Sequence, residues 1–124
     1  MLKTGVSFTS YTKVCESNTA NAIGSGDMEV FATPAMIALM ENAAMSAVAG
    51  FLPAGSTTVG AEMNVSHIKP SGLGAEIAAT AILTAVDGRK LTFNVGASDS
   101  HGMIGEGVHV RYIVDRERFM SKVR

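Results

Sequence analysis

Apolar residues crowd one stretch of the chain, from Thr33 to Pro53, and alternate with polar ones over most of the rest. In the crowded stretch Met36, Ile37, Leu39, Met40, Ala43, Ala44, Ala47 and Val48 fall on nearly every side of a helical wheel, the pattern of a helix wrapped by protein. Thr33 before Pro34 reads as its start, a hydroxyl able to cap orphan N–H groups and then a proline whose missing N–H costs nothing there. Gly50 and Pro53 supply the stop. Outside the helix the period is two. Residues 5–15 are rich in β-branched and aromatic types and predict a strand. The small, polar residues 16–27 read as a loop. Residues 57–68 place Val59, Ala61, Met63 and Val65 on one face, continued by His67, with Gly60, Glu62, Asn64 and Ser66 on the other. Residues 75–86 and 90–97 predict two strands joined at Asp87-Gly88, a strong hairpin signal. After a turn at residues 98–102, the last strand spans about residues 103–114. It has Ile104, Val108, Val110, Tyr112 and Val114 on one parity, and His109 and Arg111 on the other. Gly105 and Gly107 allow a bulge or a close backbone approach, and the charged tail from Asp115 to Arg124 reads as a solvated terminus.

A strand, a loop, a long buried helix and four strands joined by short turns predict an α+β fold, with an antiparallel five-stranded sheet curved around one central helix. That is the layout of a hot-dog domain, here expected as one domain over residues 1–124. Charged residues make up 17% of the 124-residue chain and hydrophobic ones 47%. Such a short chain with so few charges is expected to hide part of its surface against a second copy, so a homo-oligomer is predicted. The net charge of -1 gives no footprint for nucleic acid or an anionic membrane. No apolar run reaches the roughly 20 residues of a membrane span, and a single cysteine fits a reducing compartment. A cytoplasmic location is therefore expected. The three histidines and one cysteine lack metal-ligand spacing, and Gly24-Ser25-Gly26 lacks the surroundings of a phosphate cradle. Neither a metal nor a cofactor is expected.

Three residues stand out: Thr33 at the helix start, Glu41 as the helix's one ionisable side chain, and His67 at the end of a strand that should cover the helix. A hydroxyl, a carboxylate and an imidazole are the parts of a site that attacks a carbonyl. The helix N-terminus adds N–H groups suited to an oxyanion. Each residue also has a purely structural reading: a helix cap, a core carboxylate paired with an arginine, a satisfied core histidine. Eight residues of helix set Thr33 and Glu41 about 12 Å apart, so either the regular helix begins later, or these groups surround a substrate, or they meet across a subunit boundary.

Val30-Phe31-Ala32-Thr33, Glu41, Thr58-Val59-Gly60, His67, the run Gly105-Glu106-Gly107-Val108-His109-Val110-Arg111, and Phe119 with Lys122-Val123-Arg124 carry a joint spacing. In it the chain resembles the fluoroacetyl-CoA thioesterase family of hot-dog acyl-CoA thioesterases. The resemblance implies hydrolysis of a short-chain acyl-CoA thioester, with Thr33, Glu41 and His67 as the catalytic set. It also implies that Gly60 lies at the acyl pocket, that Arg111 supports the site, and that the protein is a dimer with sites near the subunit boundary. Residues 16–27 hold no aromatic ring and Asn42 follows the glutamate. The expectation is thus a general short acyl-CoA hydrolase rather than one selective for fluoroacetyl-CoA. Two other readings of the same fold are a non-catalytic acyl-CoA-binding or dimerisation module, and a hydratase or dehydratase.

Overall fold

The structure is a computed structural model that describes residues 2–124. Its elements run β1 (Ser7–Lys13), α1 (Ala20–Ile23), α2 (Thr33–Ala49), β2 (Ser56–His67), β3 (Glu76–Asp87), β4 (Lys90–Asp99), β5 (Gly102–Asp115) and α3 (Arg116–Ser121). The five strands form one antiparallel sheet in the order β1-β3-β4-β5-β2. Helix α2 lies on its inner face, packed against β1, β2, β3 and β4. Met36, Met40, Ala43, Ala44, Ala47 and Val48 enter a core completed by Ile77, Ala79, Ala81 and Leu83 of β3 and Leu91, Phe93 and Val95 of β4. The alanines matter here, because small side chains let a helix settle close on a curved sheet. The hairpin at Asp87 forms as expected: Asp87 pairs with Lys90, and Gly88 takes the positive φ of +62° that the first loop position requires.

Four features depart from the pattern-based expectation. The loop at residues 16–27 contains the one-turn helix α1, and part of the tail folds as α3, capped by the Asp115 carboxylate accepting from the Arg118 N–H at 2.9 Å. Helix α2 is not wrapped all round, because five strands cover only one side of it. Thr33, Pro34, Ala38, Asn42 and Met45 are exposed in the single chain. The third departure is in β2, whose alternation breaks at Ala61: Gly60 pairs with Arg111 but Glu62 with Val110, leaving Ala61 as an extra residue. A bulge of this kind reverses which parity faces inward. Thr58 and Gly60 therefore face α2 before it, and Met63 and Val65 after it. The last is in β5, where the polar parity is the inner one. His109 and Arg111 are buried, whereas on the apolar parity Val108 and Tyr112 are 41% and 39% exposed and only Ile104 and Val110 are buried.

Candidate functional site

Pro34 sits in the first turn of α2, where a proline suits the helix. Thr33 makes no side-chain cap, and Ala32 occupies the capping position. Its hydroxyl instead lies 2.7 Å from Nδ1 of His67 at the end of β2. The sequence-based reading of Thr33 as a cap is thus corrected: the oxygen that a cap would use is given to the imidazole. The other ring nitrogen of His67, Nε2, is buried without a partner. Burial pulls the His67 pKa down, with the Lys69 backbone opposing, which favours the neutral ring, the form able to accept a proton. Thr33 and His67 line a cavity of about 280 Å³ with Ala20, Ser25, Val30 and Lys69. The chain after β2 is fixed beside this cavity by the Ser71 hydroxyl, which donates to Asp99 Oδ2 at 2.8 Å.

Glu41 lies two turns further along α2, outside the lining of that cavity. Its side chain is 43% exposed in the single chain, which corrects the expectation of an enclosed carboxylate; the open side of α2 is the reason. Oε2 lies 3.7 Å from Nη1 of Arg111, and it fills the space above Gly60, where an added Cβ would stand 2.5 Å from it. Gly60 is thus a close approach of strand to carboxylate. Arg111 is buried and tightly held: Nε donates to Thr58 Oγ1 at 2.8 Å and Nη2 to the Thr58 carbonyl at 2.9 Å. Burial lowers the Arg111 pKa and the Glu41 carboxylate opposes that effect.

The chain therefore assembles two pairs, Thr33 with His67 and Glu41 with Arg111 over Gly60. Among the described residues no hydrogen bond joins one pair to the other. A profile of the family described as fluoroacetyl-CoA-specific thioesterase (FlK) matches residues 14–117. The chain belongs to the fluoroacetyl-CoA-specific thioesterase family. A fluoroacetyl-CoA thioesterase from Streptantibioticus cattleyicolor is 40% identical over 96 residues, 77% of this chain and 69% of that protein. The solved structure of the fluoroacetyl-CoA thioesterase FlK superposes with a TM-score of 0.93 at 33% identity, covering 100% of this chain and 96% of that one. A thioesterase superfamily member from Thermus thermophilus shares the fold at a TM-score of 0.91 and 22% identity, over 98% of this chain and 90% of its own. The hot-dog architecture is thus common to these thioesterases and to this chain. Sequence reasoning named Thr58 and His109 within the family motifs but gave neither a role; both hold Arg111. The available signal was that His109, Arg111 and the flanking Gly105 share one parity. A Cβ on Gly105 would come within 2.6 Å of Met36 Sδ, so that parity faces the helix.

Proposed function

We propose that this chain hydrolyses a short-chain acyl-CoA thioester, with Thr33, Glu41 and His67 as the catalytic set, Gly60 bordering the acyl pocket and Arg111 supporting Glu41. The observation that carries the reading is the Thr33 hydroxyl, turned from its capping role onto His67 Nδ1 at 2.7 Å. Around it, the first-turn N–H groups of α2 have no intrahelical partners and present a positive dipole end to a thioester carbonyl. Glu41 attacks the carbonyl or takes a proton from the attacking water, and His67 handles the proton that the leaving thiolate gains.

The active form in this reading is a homodimer with its sites near the subunit boundary, where the Thr33–His67 and Glu41–Arg111 pairs face one substrate. Strand β2 supports this, being a 12-residue edge strand with one side unpaired, an arrangement that invites pairing with another chain. The open face of α2 supports it too. Sedimentation at micromolar concentration is expected to give twice the chain mass. The phosphates of coenzyme A call for cations at the rim. Lys69 lines the cavity beside His67, and Arg89, Lys90 and Lys122 line another of about 550 Å³ at the far end of β5. Residues 16–27, which contribute Ala20 and Ser25 to the cavity, offer no aromatic ring to enclose a very small acyl group, so the acyl range is expected to extend beyond fluoroacetyl. Purified protein assayed with a panel of short acyl-CoA substrates and a thiol-reactive dye tests the proposal. Thiol release is expected, and activity unchanged in both Glu41→Ala and His67→Ala would refute it.

A further inference from the structure

His109 has no part in the chemistry described so far, yet it is 1% exposed and lies on the inner face of β5, two residues before Arg111. Its two ring nitrogens meet different partners. Nδ1 is 2.8 Å from the carbonyl oxygen of Glu62, beside the bulge in β2, and Nε2 is 3.2 Å from Nη1 of Arg111. A guanidinium can only donate and a carbonyl oxygen can only accept. Nε2 therefore accepts from Arg111, and Nδ1 carries the hydrogen it donates to Glu62. That assigns a neutral imidazole in one tautomer. Its surroundings agree, since burial and the adjacent Arg111 favour the neutral form.

The consequence reaches Glu41 through the guanidinium. Two of the Arg111 nitrogens are anchored on Thr58 and the third, Nη1, is engaged by His109. Nη1 is also the atom nearest Glu41, at 3.7 Å from Oε2. This separation is too long for a hydrogen bond but short enough for charge attraction. An arginine with free N–H groups beside a half-exposed carboxylate would ordinarily close into a bidentate pair.

We propose that His109 is a positioning residue: by accepting one of the two Nη1 hydrogens it fixes the guanidinium, together with Thr58, at 3.7 Å from Glu41 and short of a bidentate pair, and so leaves the carboxylate oxygens free to act. The inference rests on the reading of Glu41 as the reacting acid. Steady-state kinetics of His109→Leu, His109→Gln and Glu41→Gln, each with a thermal melt, test it. Leucine removes the acceptor, whereas a glutamine amide can still accept from Arg111 and donate to the Glu62 carbonyl. In His109→Leu, kcat is expected to fall roughly tenfold to a hundredfold with KM within about threefold, and His109→Gln to recover most of that loss. A purely structural role would lower the melting temperature without this recovery. Should His109→Leu fail to fold, His109→Met removes the acceptor with a more flexible side chain and is expected to give the same kcat-specific loss. Wild-type kcat in His109→Leu or, in its place, His109→Met, or equal losses in that variant and in His109→Gln, together with an inactive Glu41→Gln, would overturn the role of His109 and leave that of Glu41 standing. An active Glu41→Gln would overturn both.

Discussion

Gly60→Ala shifts one carboxylate while leaving the backbone of the fold as it is. Gly60 sits in β2 without a positive φ, so alanine meets no backbone strain there. The new methyl would stand 2.5 Å from Glu41 Oε2, while Arg111 Nη1 and His109 Cε1 at 3.4 Å are already at ordinary contact. The carboxylate must retreat by about 1 Å, and it can, because it ends a flexible side chain with solvent on one side. Stability should change by no more than about 1 kcal/mol, the steric cost being offset by the smaller entropy of the unfolded alanine chain. The melting temperature is then expected within about 5 °C of wild type. Catalysis is far less tolerant, since a displacement of about 1 Å can cost a hundredfold. Thiol release from a short acyl-CoA, followed with a thiol-reactive dye, should show kcat down by about that factor in a protein that melts normally. A Gly60→Ala enzyme with wild-type kcat would refute the argument that the position of Glu41 matters.

Thr33→Ala is expected to cost activity without the ~1 kcal/mol that loss of a helix cap would bring, because the hydroxyl does not cap; Thr33→Ser should keep both, as melting curves and kinetics will show. A histidine whose folded pKa lies below its unfolded value binds fewer protons when folded, so stability rises with pH in that range. His67 and His109 are both of this kind, and melting temperature should fall as pH drops through and below about 6.5, with a shallower slope in His67→Gln. Rising ionic strength should raise KM for acyl-CoA while kcat changes little, through screening of the rim cations; an unchanged KM at high salt would exclude a phosphate-binding role for them.

The helix was legible from its apolar run between Thr33-Pro34 and Gly50, and the five strands from β-branched composition or a period of two, with ends within a few residues of glycine, proline or Asx signals. The β2 bulge was not legible. Val59, Ala61, Met63 and Val65 alternate without fault in sequence, and only pairing with β5 shows that Ala61 is the extra residue. The inner face of β5 was masked similarly, since its apolar parity is the more exposed one and the buried parity holds an arginine and a histidine. Burying them is tolerable because Thr58, the Glu62 carbonyl and Glu41 answer their polar groups. Thr33, Glu41 and His67 stood out by residue type and position, while Gly60 and Arg111 were named only through the family resemblance. Which of them touch could not be read, because that depends on how far β2 slides along α2.

The extra residue at Ala61 divides β2 into two segments with separate clients. The segment before it serves the acid and its guanidinium through Thr58 and Gly60, and the segment after it carries Met63, Val65 and the imidazole. Removing that single residue would turn the first segment inside out, trading Gly60 and Thr58 for their neighbours while the second stayed in phase. Drift in length at this one point of the chain would therefore be far more costly than at an exposed loop tip, where an added residue has only solvent to displace.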